Sequence, residues 1–199
     1  MIGGIGAGKS TAAKCLTVRG GYVVDCDKLG HVALELPKAM DQLVERWGER
    51  VRNSDGTANR RVIAGIVFST PIERAWLESV VFPIIGELAM REIRNAELDP
   101  AIRFVVLDAA VLLEAGWREM CDRVVYIDAP RALRLQRLKN RSRWTDAELM
   151  TREASQWSAD RKKQYADEIV QNDGTPEQLQ ACLDQVLISW GWLTETPAG

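Results

Sequence analysis

Residues 3–11 read GGIGAGKST, and within them Gly3-(x4)-Gly8-Lys9-Ser10 forms a complete phosphate-cradling signature. Such a loop carries the chain from the end of a buried strand into the first turn of a helix. Its position near the start therefore commits the rest of the chain to a mixed sheet-and-helix architecture. The spacing predicts a helix from Lys9 to about Val18. The glycines permit positive φ and bring backbone N–H groups against phosphate oxygens, while the helix N-terminus adds partial positive charge. Gly4, Gly6, Ala7, Gly8, Lys9, Ser10 and Thr11 are the expected nucleotide contacts. Lys9 bridges the β and γ phosphates as a point charge, and the Ser10 hydroxyl is positioned to coordinate Mg2+. The expected ligand is a nucleoside triphosphate such as ATP.

Further along, Tyr22-Val-Val-Asp-Cys26, Arg103-Phe-Val-Val-Leu-Asp108 and Arg123-Val-Val-Tyr-Ile-Asp128 are short, β-branched-rich runs, and Glu168-Ile-Val-Gln-Asn172 is a weaker fourth. Their apolarity is continuous rather than alternating, and helically spaced segments separate them. That pattern predicts a parallel sheet covered on both faces: an α/β, three-layer P-loop fold. Ligands gather outside the carboxyl ends of such strands, where these aspartates fall. The stretch from about 28 to 98 is helical in character and long for one crossover, so it is expected to be a helical insertion. A second insertion, about 134–164, is rich in Lys and Arg and suits a lid over polyphosphate. The whole chain, 1–199, is expected to form one kinase domain carrying both.

Lys plus Arg total 26 against 28 Asp plus Glu, so no global charge draws the chain to nucleic acid or to an anionic membrane. No run of about 18 apolar residues marks a membrane span. The four cysteines show neither CxxC nor metal-ligand spacing and are expected to be small core hydrophobes in a reducing, cytoplasmic setting. The single histidine, His31, is expected at the surface or in packing.

Asp25 and Asp27 close the second predicted strand. A carboxylate there can accept a proton from an attacking hydroxyl or hold the waters of a metal, and Asp27 also suits the N-cap of a helix from Lys28. Asp108 is placed either as a metal-side carboxylate or as a simple cap. Arg134, Arg137, Arg141 and Arg143 crowd one segment, with Arg137 and Arg141 at i, i+4. Phosphoryl transfer needs such cations on the γ-phosphate in a water-poor site.

The order and spacing of these stretches resemble the dephospho-coenzyme A kinases, of the nucleoside-monophosphate-kinase-like P-loop class. The resemblance rests on GGIGAGKST, VVDCD at 23–27, DGTANRRVIAGIVF at 55–68, LDAAVLLEAGW at 107–117, QRLKNR at 136–141 and ADEIVQNDG at 166–174. It implies ATP- and Mg2+-dependent phosphorylation of the ribose 3'-hydroxyl of dephospho-coenzyme A, with small molecules as partners. Carried over, Asp27 matches the catalytic base, Lys9 and Ser10 the phosphate and metal contacts, and Arg141 the lid arginine. Arg60, with Asp25, matches the acceptor side, and Asn172 and Gly174 match the segment lining the adenine. Phe82, Ala110 and Ser142 depart from the family pattern, where histidine, proline and aspartate are usual.

Only Met1 and Ile2 precede the loop, whereas the family has several apolar residues there. The expectation is a groove in the core beside the first strand, with five to eight apolar residues preceding Met1 in the cell. Two other functions remain open on sequence: a P-loop kinase for another small molecule or nucleoside, and a catalytically impaired nucleotide-binding protein.

Overall fold

A computed structural model describes residues 1–194; residues 195–199, which the expected 1–199 domain includes, lie outside the described residues. The chain divides into two compact units, one formed by Met1–Val24 with Ile93–Gly199, the other by Asp25–Glu92.

In the first unit, strand β1 (Ile2–Gly3) leads through the glycine-rich loop into helix α1 (Lys9–Val18). Strands β2 (Gly21–Asp25), β3 (Phe104–Asp108), β4 (Val125–Asp128) and β5 (Glu168–Gln171) follow the four β-branched runs to within one or two residues. β4 pairs in parallel with β1 on one side and β5 on the other, and β2 pairs with β3. β1 touches β3 through its first residue: the Met1 ammonium donates to the Leu107 carbonyl at 2.7 Å, and the Ala109 N–H reaches the Met1 carbonyl at 3.4 Å. With only two residues in β1, its neighbours face a cavity of about 500 Å3 lined by Met1, Phe104, Val106, Val125, Trp190 and Trp192, the groove the short first strand leads one to expect.

The core of this unit is apolar and small-residue-rich, with Ala12, Leu16, Val106, Ile127, Val170, Leu179 and Leu183 buried together. Helix α9 (Pro176–Ser189) starts at a reciprocal Thr175–Gln178 capping box and packs on α1. Arg19 and Asp184 join the two helices by a bidentate pair at 2.8 and 2.6 Å. Helices α6 (Arg131–Ser142), α7 (Asp146–Glu153) and α8 (Ala159–Lys163) form the basic insertion between β4 and β5.

The second unit is helical: α2 (Cys26–Glu35), α3 (Pro37–Trp47), α4 (Arg60–Ser69) and most of α5 (Pro71–Glu97). Met40, Leu43, Trp47, Val51, Ala58 and Ile63 form its core. Glu73 accepts from both nitrogens of Arg46, at 2.6 and 2.9 Å, and from the Trp47 indole at 2.7 Å, which holds its carboxyl below the usual range. None of the four cysteines is in a disulfide among the described residues; Cys15 and Cys26 are buried as expected, whereas Cys121 is half-buried and Cys182 is exposed on α9. The helical period turns Cys182 outward between Leu179 and Leu183. No helix among the described residues is long and apolar enough to cross a membrane.

Candidate active site

The site is built around an uncapped helix. Gly8, at the N-cap of α1, adopts φ 93° and ψ 27° and offers no side chain to the first-turn amides. Gly6 also has positive φ, 77°. This alternation turns the loop's amides toward one concavity, an anion-binding nest backed by the positive end of α1. Two internal bonds hold the curve, from Ala7 N–H to the Gly4 carbonyl at 3.0 Å and from Thr11 N–H to the Gly8 carbonyl at 2.9 Å. Lys9 is half-buried and Ser10 is exposed at the helix start.

When the amides of a nest converge inward, its carbonyls point outward and need donors of their own. The insertion and the end of β5 supply them. Arg134 donates to the Ile5 carbonyl at 3.1 Å and pairs with Glu153. Arg137 donates to the Ala7 carbonyl at 3.3 Å and to the Asn172 carbonyl at 2.9 Å. Asn172, buried, adds a third donor through Nδ2 to the Ala7 carbonyl at 2.7 Å. The approach is close enough that a Cβ on Gly8 would lie 2.1 Å from Asn172 Nδ2, and one on Gly6 2.9 Å from the Arg134 carbonyl oxygen.

The loop, Asn172 and the Arg134–Arg137 pair thus come together in the first unit. Asp108 closes β3, the strand that β1 meets through Met1, and is half-buried. Arg141, expected on the transferred phosphate, is exposed in the last turn of α6, where it makes no bond to the loop among the described residues. Gly174 immediately precedes the Thr175 cap of α9. In the second unit Asp27 is exposed in the first turn of α2, and the cap of that helix is Asp25, whose carboxylate accepts from Lys28 N–H at 3.0 Å. The helix expected to begin at Lys28 behind an Asp27 cap thus begins two residues earlier, because the strand passes into it with no loop. Arg60 opens α4 and pairs with Glu35 at 3.1 Å; His31 is exposed on α2.

Two features escape the sequence reading. The loop-bracing role of Arg134 and Arg137 is one; their place in the arginine-rich segment did not reveal that target. The other is Lys162, only 2% exposed, paired with Glu114 at 3.0 Å. Burial pushes its ammonium down in pKa, and Glu114 opposes that shift. Beside it, Lys163 is raised by its 2.6 Å bond to Asp128.

The oxygen donors of Ser10 and Asp108 suit a hard divalent cation. Among the described residues no three His, Cys, Asp or Glu side chains cluster as a metal site. An Mg2+ ion here would be completed by phosphate oxygens and water, the coordination it prefers.

Residues 1–178 match the family model described as dephospho-CoA kinase. The dephospho-CoA kinase of Bacillus licheniformis is 34% identical over 192 residues, covering 96% of this chain and 94% of the relative. Among solved structures, TT1252 from Thermus thermophilus is 31% identical with a TM-score of 0.78 over 94% of each chain. The dephospho-CoA kinase of Campylobacter jejuni, at 23% identity and a TM-score of 0.65 over 96% of each chain, shares the fold. The α/β P-loop kinase fold is the one expected, and the chain belongs to the dephospho-CoA kinase family.

Proposed function

We propose that this chain transfers the γ-phosphoryl group of ATP to the ribose 3'-hydroxyl of dephospho-coenzyme A, the final step of coenzyme A synthesis. The observation that carries this reading is the uncapped, glycine-turned start of α1, a nest of amides that a polyphosphate tail satisfies. The amides of Gly4 to Thr11 and the Lys9 ammonium hold the β and γ phosphates. Ser10 and Asp108 are the residues that would hold an Mg2+ ion, which would supply neutralisation of charge on the phosphates. The acceptor oxygen attacks Pγ, the bond from Pγ to the bridging oxygen breaks, and ADP leaves with that oxygen. Asp27 takes the hydroxyl proton, and its exposure at the head of α2 leaves its carboxylate open to an acceptor. Asp25, which orders that helix start, and Arg60 belong to the acceptor side. Asn172 and Gly174 line the adenine, with Asn172 also bracing the loop. Arg141 reaches the transferred phosphoryl from the insertion, which acts as a lid. We place the reaction in the cytoplasm, where the free thiols stay reduced.

The test is direct: purified protein, ATP, Mg2+ and dephospho-coenzyme A, with coenzyme A as the product measured. Asp27→Asn should cut turnover far more than nucleotide affinity, and Lys9→Ala should lower both. ATP consumption with nucleoside or other alcohol acceptors, and none with dephospho-coenzyme A, would reject this acceptor.

A further inference from the structure

Lys162 presents a chemical problem that phosphate binding does not explain. It is a lysine almost wholly out of water, on a helix that lies against β1, the strand feeding the phosphate loop. An ammonium carries three protons, and here three acceptors take them: the Ala110 carbonyl at 2.6 Å, Gln156 Oε1 at 3.0 Å and Glu114 Oε1 at 3.0 Å. A cation so fully engaged is not waiting for a phosphate. Glu114 Oε1 also accepts the Trp157 N–H at 2.8 Å, while its second oxygen is buried with no hydrogen-bond partner among the described residues. The ammonium is fully satisfied, and a single carboxylate oxygen, shared by Lys162 Nζ and Trp157 N–H, ties Glu114 to it.

The partners come from two segments far apart in sequence. Ala110 and Glu114 lie in the loop that follows Asp108 and β3. Gln156, Trp157 and Lys162 lie where the basic insertion returns toward β5. That insertion also supplies Arg134 and Arg137, which brace the phosphate loop. One knot therefore joins the segment behind the metal-side carboxylate to the base of the arm that holds the loop's carbonyls.

We propose that Lys162 and Glu114 are positioning residues for phosphoryl transfer: a buried clasp that sets the arginine-bearing insertion against the Asp108 loop without touching substrate. This rests on the kinase reading above. A group that only positions affects the chemical step more than binding, since small misplacements of reacting groups are costly to rate.

The experiment compares Lys162→Met, which keeps length and removes charge, with Lys162→Arg, Glu114→Gln and Gln156→Leu. For each, kcat, both KM values, the melting temperature and backbone hydrogen exchange of 131–164 with and without ATP and Mg2+ are measured. In folded Lys162→Met, kcat should fall about 10- to 100-fold while ATP affinity stays within about threefold. The nucleotide-dependent protection of 131–164 expected of the wild type should shrink. Lys162→Arg should recover much of both, and Gln156→Leu should show the same losses in milder form. Turnover within about twofold of wild type in folded Lys162→Met overturns the clasp, as does a loss that only tracks the unfolded fraction. If Lys162→Met does not fold, unchanged turnover and protection in Gln156→Leu overturn it equally. Wild-type protein that makes no coenzyme A rejects the assigned acceptor instead, and the exchange readout, which needs only ATP, still decides on the clasp.

Discussion

Asn172 Nδ2 lies 2.7 Å from the carbonyl oxygen of Ala7, a buried bond that fastens the end of β5 to the middle of the phosphate loop. Removing the donor leaves that carbonyl with Arg137 alone, at the longer distance of 3.3 Å. Asn172→Ala is expected to cost about 1–3 kcal/mol, the range for orphaning a buried polar group. Thermal melts should show this as a fall of several degrees, and titration calorimetry should show weaker ATP binding because the nest is less fixed.

Gly8 faces the same asparagine from the other side. A methyl group there meets Asn172 Nδ2 at 2.1 Å and must also adopt a φ of 93°. Gly8→Ala is expected to abolish measurable nucleotide binding in a chain whose far-ultraviolet circular dichroism remains native. In the pair Gly8→Ala with Asn172→Ala the clash is gone but the left-handed strain of about 1–2 kcal/mol persists. Stability should return in part and binding should not.

The Arg19–Asp184 pair gives a pH dependence of defined sign. The guanidinium hydrogen bonds hold the Asp184 carboxyl below its ordinary value in the folded chain. Between that value and the ordinary one, the unfolded chain binds the proton that the folded chain refuses, so acid favours unfolding. The contribution is complete above the usual carboxylate range and is lost as pH falls through the depressed value. Asp184→Asn should therefore melt lower than wild type near neutrality, and the difference should close as pH falls below the ordinary carboxylate value and through the depressed one. Because Arg19 is 37% exposed, added salt should narrow it too.

The cavity beside β1 predicts a gain. Five β-branched residues placed ahead of Met1 would run between β3 and β4 and pair with their open edges. Each buried side chain contributes about 1.5–3 kcal/mol, against about 1–2 kcal/mol of backbone ordering per residue. The net is a rise in melting temperature of about 5 °C or more by scanning fluorimetry. A rise no larger than that given by five Gly-Ser residues would show that the cavity does not take a strand.

Strands were readable wherever burial on both faces forced a continuous β-branched run with a polar stop, as at Phe104–Asp108. The loop was readable because its conformation demands glycine at fixed offsets. What escaped depends on approach in space. Arg134, Arg137 and Arg141 share one helical face, yet the first two meet the phosphate loop while the third is left in solvent, and no periodicity distinguishes those turns. Lys162 is one of several Lys and Arg in the stretch expected to be a lid, and its burial comes from Glu114, Ala110 and Gln156 closing over it. The cap of α2 was displaced from Asp27 to Asp25 because a strand that turns directly into a helix has no loop signal to place the boundary.

Helix α1 begins on a glycine and forgoes a hydroxyl or carboxylate that would quiet its leading amides. The substrate itself becomes the missing end-piece. Starved of nucleotide, the protein should unfold more readily and meet proteases more often than when the nest is filled.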